Sequence, residues 1–353
     1  MISRLSERCL RKVECSRCVR RSISGMSAFV LAVFGVQNLA AQPAFSLEVK
    51  PATSSLSLGE LDSIADAATD GRGHILLLDP PRALLIVTDT TLREIASWPW
   101  RADGVTRFWD PVEIGRVGKG TIAVLDRATH RITVLTISAD GTNFKVQRTL
   151  TVPLRNVEGM CPLPGGDFLV YGFDSGQRLH VVNGRTGAVT RSFGPSDPAL
   201  HEKAQEITTQ GRIACDQARD EVMVSTWFLD RVEAFHISTG QEAWTGRLVP
   251  FRPIRLEDLG DRVSMTSGHS GYSRLSVAFY TGDFRVFQTI IASRRDSVSA
   301  DTVVTYFFSR QKNAWTAPQL QLPAVLPVDS ELVLAVTLTP RRTVELRQFR
   351  SVH

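Results

Sequence analysis

The sequence predicts an all-β chain folded as a six-bladed β-propeller of four-stranded antiparallel blades, with seven blades the alternative count. Six times an arginine closes a short polar turn just ahead of an apolar run, at Arg82, Arg131, Arg178, Arg231, Arg274 and Arg342. Upstream of each stands another apolar run, beginning near Ile75, Ile122, Phe168, Val222, Val263 and Leu332, so every unit reads strand, turn, arginine, strand. A unit of about 40 to 50 residues built from short strands cannot bury itself and must pack against its neighbours, as propeller blades do. The third observation is negative: neither a sustained helical period nor a Ser/Gly-rich linker divides the chain, which predicts one domain over 42–353.

Each strand has its own signal. Tight turns at Asp70-Gly71-Arg72-Gly73, Gly118-Lys119-Gly120, Pro164-Gly165-Gly166 and Gly260-Asp261 precede the anchor runs and join a first strand to a second. After the arginine comes a third strand with alternating character, as in Arg131-Ile132-Thr133-Val134-Leu135 and Arg231-Val232-Glu233-Ala234-Phe235. Turns at Ala139-Asp140-Gly141, Asn183-Gly184, Ser238-Thr239-Gly240 and Thr281-Gly282-Asp283 then lead to a fourth strand such as Ala188 to Phe193. Between Ile291 and Leu320 the stretch from Asp301 to Ser309 reads as an additional strand, an insertion in the sixth unit or a short seventh. Phe45 to Lys50 is expected to pair with the last unit and close the ring, which removes its open edges.

The formal charge of +5 is misleading. Residues 1–41 hold seven Lys or Arg (Arg4, Arg8, Arg11, Lys12, Arg17, Arg20, Arg21) against Glu7 and Glu14, leaving 34 basic and 34 acidic residues for the rest. A balanced domain has no electrostatic footprint for a phosphate backbone, so nucleic acid is not an expected partner. The leader itself has the parts of a signal peptide: a cationic stretch ending in Arg20-Arg21, an apolar stretch from Met26 to Val36, and small residues at Ala40 and Ala41. That apolar stretch is shorter than the roughly 20 residues needed to cross a bilayer. Cleavage near Ala41 and a periplasmic or secreted product without a stable membrane anchor are therefore expected; Met26 is an alternative start.

Cys9, Cys15 and Cys18 fall in the leader, and the Cys15-x-x-Cys18 spacing has no second pair to complete a metal site. Cys161 and Cys215 each lie seven residues before their anchors, Phe168 and Val222, at positions that other units fill with small or apolar residues. They are expected to be buried free thiols, because a bridge needs Cα atoms within about 7 Å.

The second unit, Leu125-Asp126-Arg127-Ala128-Thr129-His130-Arg131-Ile132-Thr133-Val134, resembles the NHL repeat, whose signature sets an aspartate at one strand's end and Asn/His-Arg-Ile-x-Val at the next strand's start. Asp79 with Arg82 and Asp230 with Arg231 are shortened or shifted versions of the pairing, and Thr339 to Arg342 lacks the aspartate. The chain is also similar to extracytoplasmic six-bladed propellers of the TolB-like type. The resemblance covers residues 60 to 247 well and the last hundred loosely, and it implies a fold more strongly than a function.

Antiparallel logic puts the second-to-third turns and the starts of the first strands on one face, here the front face. Trp109, Asp110, Glu113, Asn156, Glu158, Trp227, His269 and Tyr272 are expected there, aromatic platforms beside ionised groups such as a ligand site uses. The six arginines are expected to be structural, forking onto turn carbonyls or onto aspartates such as Asp79, Asp126, Asp174 and Asp230. The expected function is binding of a protein, peptide or carbohydrate, without a cofactor. The alternative is a metal-dependent hydrolase similar to the gluconolactonases, for which Asn156, Glu158 and Glu113 would be oxygen donors to calcium. Those enzymes carry Pro-Asn-Gly at the start of one first strand, whereas this chain has Gln210-Gly211-Arg212-Ile213. His74, His130, His180, His236 and His269 are spread over five units, and neither a Gly-x-Ser-x-Gly elbow nor a phosphate loop occurs.

Overall fold

The computed structural model describes residues 64–100 and 108–249 apart from positions 199 and 228, most strands and turns from there to 352, and the strands at 44–49 and 56–57. The predicted signal peptide, His269 and Arg342 lie outside the described residues. Five sheets of four strands follow one another: blade 1 spans Asp66–Thr69 to Glu94–Pro99, blade 2 Pro111–Gly118 to Phe144–Thr151, blade 3 Arg155–Pro162 to Val189–Pro195, blade 4 Gly211–Asp216 to Glu242–Arg247, and blade 5 Tyr272–Thr281 to Trp315–Thr316. Blade 6 takes Ala324–Pro327, Leu332–Thr337 and Thr343–Val352 from the end of the chain and its outermost strand, Ala44–Val49, from the beginning. That strand runs antiparallel to the last one, from Ala44 opposite Val352 to Val49 opposite Arg347, as the sequence leads one to expect.

The apolar runs that mark the second strands arise because both faces of each sheet are covered. Leu76 and Leu78 pack against Ile114, Ile122 and Val124 of blade 2, while Ile75 and Leu77 pack against Leu334, Val344 and Leu346 of blade 6. Four further clusters fill the seams between blades 2 and 3, 3 and 4, 4 and 5, and 5 and 6. Six seams for six blades is the packing of a closed ring, in which each sheet is stabilised only by its neighbours.

The fifth unit is out of register with the sequence expectation. Val263 belongs to a separate two-stranded hairpin, Arg255–Asp258 with Val263–Thr266, between blades 4 and 5. The second strand of blade 5 is Phe284–Ala292, and Thr302–Ser309, read from sequence as an extra strand, is its third. Thr281-Gly282-Asp283 accordingly joins the first strand to the second, and Arg274 lies on the first strand opposite Ile290. The first strand here is ten residues long and its described inner half is buried, so it reads like the apolar interior of a blade. One short helix, Glu202–Thr208, lies between blades 3 and 4.

Among the turn aspartates, Asp126 holds backbone. Asp126 accepts the N–H groups of Trp109 (2.6 Å), Asp110 (3.3 Å) and Thr129 (3.2 Å), tying the start of a first strand to the second-to-third turn of its own blade. Arg82 is 3.9 Å from Asp79. Arg131 donates to Thr129 Oγ1 at 3.1 Å, Arg178 reaches Glu233 of the next blade at 2.7 Å, and Arg231 meets Glu233 at 2.8 Å. Arg178 and Arg231 thus converge on one carboxylate, so part of the arginine pattern fastens the seam between blades 3 and 4 as well as the turns.

Cys161 and Cys215 form a disulfide with Cα atoms 6.2 Å apart, which corrects the expectation of free thiols. Both lie on innermost strands of adjacent blades, 3 and 4. Blades fan out from the axis, so equivalent positions come closest together at the centre, inside the range a bridge spans.

Candidate functional site: the central channel

The six innermost strands enclose a channel of about 910 Å³. Its described lining runs from Asp66, Glu113 and Arg212 to the first-to-second turns of blades 4, 5 and 6, including Arg219, Gly282 and Glu331. The channel therefore reaches the rear face, opposite to the face the sequence reading selects. Its waist is apolar, with Ala67, Ile114, Ile213, Val277 and Leu326. The Cys161–Cys215 bridge forms part of the same wall.

Asp66, Glu113 and Arg212 occupy the same place on blades 1, 2 and 4, each opposite the penultimate residue of its second strand: Leu78, Leu125 and Ser225. An innermost strand is a sheet edge, and its inward N–H groups need acceptors. Asp66 Oδ2 accepts Ile114 N–H of blade 2 at 2.8 Å, and Glu113 Oε2 accepts Met160 N–H of blade 3 at 2.8 Å. Each carboxylate so fastens its own blade to the next. A glycine makes room for this layer: a Cβ on Gly159 would sit 3.0 Å from Glu113 Oε2.

Burial pushes the Asp66 carboxyl up to about 6, against the Ile114 N–H and the charge of Arg212, which favour its ionised form. Burial and the charge of Asp66 raise Glu113 well above the usual carboxylate range, opposed by Arg212 and by the Met160 N–H. The two act as a pair that retains a proton where isolated carboxylates would have lost theirs. A second group lies beside them: Arg127 of blade 2 donates to Asp110 Oδ2 at 2.8 Å and to the buried Glu158 Oε2 of blade 3 at 3.1 Å. Burial raises Glu158, and Arg127 with Arg212 holds that rise down.

Of the ligand-site residues singled out from sequence, Glu113 alone lines the described channel, while Asp110 and Glu158 are bridged by Arg127 outside that lining. Trp109 is 53% exposed at the start of blade 2. Asn156 donates from Nδ2 to the Glu206 carbonyl and so holds the short helix to blade 3. Trp227 packs against the core between blades 4 and 5, and Tyr272 opens the first strand of blade 5. Asp66, Arg127 and Arg212 are absent from that selection. A signal for the first was present, since Asp66 and Glu113 both stand nine residues before their anchors, Ile75 and Ile122.

The raised carboxyl predicts a pH dependence of stability. A group whose folded pKa is above its unfolded value stabilises the fold fully below the unfolded pKa, and that stabilisation is lost as pH rises through the folded one. For Asp66 the window runs from about 4 to about 6. Asp66→Asn keeps an acceptor for Ile114 and removes the titration, so at pH 8 it is expected to unfold at higher denaturant than the wild type, by about 2 kcal/mol, with the advantage vanishing near pH 4. Urea melts at the two pH values check it; an Asp66→Asn protein less stable at pH 8 would contradict the assignment.

No family model matches the chain, and no curated protein matches it either. Among solved structures, a member of the DUF4221 family from Bacteroides vulgatus is similar with a TM-score of 0.54 at 8% identity, covering 88% of this chain and 100% of that one. Virginiamycin B lyase from Staphylococcus aureus is similar with a TM-score of 0.46 at 10% identity, over 85% of this chain and 99% of that one. Identities this low speak to fold alone. The class that blades, ring and comparison define is the six-bladed β-propeller.

Proposed function

We propose that this protein is a binding module that takes a small ligand, or the end or side chain of a larger one, into its central channel from the rear face. The observation that supports the reading is a channel of about 910 Å³ with apolar walls and a charged layer of Asp66, Glu113 and Arg212 toward its front end, the combination of apolar surface and few convergent polar groups that ligand sites share. Arg212 also bears on the hydrolase alternative: a guanidinium standing among the carboxylates already supplies the positive charge a calcium ion would bring. Export is part of the proposal, supported by a disulfide of the kind that persists in oxidising compartments. The Asp126 to Arg131 turn supports the NHL type of repeat in the same measure.

The exposed Trp109 favours a second reading, in which the partner docks on the front face. Immobilised protein challenged with defined peptide and oligosaccharide libraries separates the two. Val117→Trp, placed in the channel lining, is expected to reduce retention at least tenfold, and Trp109→Ala to leave it unchanged. Retention that survives Val117→Trp and fails with Trp109→Ala would reject the channel.

A further inference from the structure

We propose that the front end of the channel is a receptor for an aliphatic ammonium group, which is held between the Asp66 and Glu113 carboxylates. The inference rests on the channel reading above and names its ligand class. Each of the two carboxylates commits one oxygen to a backbone N–H of the next blade, Asp66 is also bonded by the N–H of Ala67 and both feel the charge of Arg212, and among the described residues neither Asp66 Oδ1 nor Glu113 Oε1 makes a hydrogen bond to another blade. Both residues line the cavity. The oxygens therefore offer acceptors to whatever enters, and an ammonium group carries three donors with a compact charge.

Charge points the same way. With both ionised, Asp66 and Glu113 bring two negative charges to this end of the channel, against one positive charge on Arg212. Blades 5 and 6 add apolar lining such as Val277 and Leu326, with Asp329 and Glu331 at the rear turn of blade 6, while Arg116 lines the channel from blade 2 and Asp216 and Arg219 line it from blade 4. This layer is one positive charge short, which a bound proton makes up. An ammonium that enters as the proton leaves for bulk buffer preserves the total charge, so the nearby Arg212 does not oppose the exchange. The apolar waist then covers the methylene stem that an ammonium of this kind trails, where a hydrated inorganic cation would gain nothing.

The same chemistry comes from a free alkylamine or from a lysine side chain, and two probes distinguish the sources: n-pentylamine, and a short peptide with blocked ends and one lysine. Calorimetric titration in two buffers of different ionisation enthalpy reads the proton directly. Up to one proton is expected to be released per ammonium bound, with affinity rising at least tenfold between pH 5.5 and pH 8. Asp66→Asn/Glu113→Gln is expected to weaken binding at least tenfold and to flatten the pH profile. Tighter binding of the peptide than of the amine would assign the lysine source, and the reverse the free amine; either supports the proposal. Preference for pentanoate over pentylamine, or ammonium binding without proton release, would overturn it. Either result is compatible with Val117→Trp still abolishing retention, so the ligand class fails separately from the channel.

Discussion

Glu221→Ala is expected to cost about 3–5 kcal/mol of folding stability, because it leaves a buried guanidinium without its partner. Glu221 opens the second strand of blade 4 and is buried. Its Oε1 accepts from Arg285 Nε at 2.7 Å and from Tyr280 OH at 3.0 Å, and its Oε2 accepts from Arg285 Nη2 at 2.8 Å, all from blade 5. Arg310 of the same blade stands 3.5 Å from Oε2 and meets Asp216 at 2.5 Å. The guanidinium planes lie over rings, Arg285 over Trp244 and Arg310 over Tyr280, each at 4.7 Å. Burial raises the Glu221 carboxyl, but the bonds and charges of Arg285 and Arg310 outweigh it and leave it below its ordinary value. A depressed carboxyl stabilises the fold above its unfolded pKa and ceases to do so as pH falls through the folded one, the opposite sign to Asp66. Denaturant midpoints at pH 7 and pH 3 read both effects. Glu221→Gln should retain part of the stability through its remaining acceptor, and Glu221→Met/Arg285→Met should recover most of it, since no charge is stranded. A loss under about 1 kcal/mol for Glu221→Ala would mean the seam between blades 4 and 5 does not depend on this pair.

The contrast between these carboxylates explains how much of the molecule could be read from its sequence. Burial on both faces writes itself as an apolar run, so the second strands from Ile75, Ile122, Phe168 and Val222 and the closing strand at Ala44–Val49 were legible. Blade 5 was not, because a hairpin inserted before it offers a false anchor at Val263 and its own long first strand resembles an interior one. Glu113, Asp110 and Glu158 stood out as carboxylates near strand starts. Arg127 did not, because it shares a turn with the more regular Arg131 and its partners lie on the starts of two different first strands. Arg212 came to notice only as a departure from another family's motif. Its place beside Asp66 depends on the ring bringing blades 1 and 4 to a common axis, and no local pattern reports that distance.

Reducing the Cys161–Cys215 bridge, or replacing both residues by Ala, is expected to lower stability by roughly 4 kcal/mol from chain entropy. The cross-link joins positions separated by 54 residues, and without it the unfolded chain regains the freedom of that loop. The loop holds the outer three strands of blade 3, the short helix and the start of blade 4, so the bond ties two successive blades at the axis. Near the axis the charge of Arg212 also acts on Glu158 across this seam, and Arg178 and Glu233 join it farther out, on the third strands. Loss of the bridge should therefore loosen the inner wall before it loosens the rim. Guanidinium melts with and without a dithiol measure the global effect, and hydrogen exchange at Met160 and Ile213 measures the local one. Thiol titration of the unreduced, unfolded chain should find neither Cys161 nor Cys215 free. Equal melting midpoints for wild type and Cys161→Ala/Cys215→Ala would show that the apolar contacts of Leu169, Tyr171, Ile213 and Val224 hold the seam unaided. An intact midpoint with faster exchange at Met160 would instead place the bridge's effect in the channel, where its sulfurs form part of the wall.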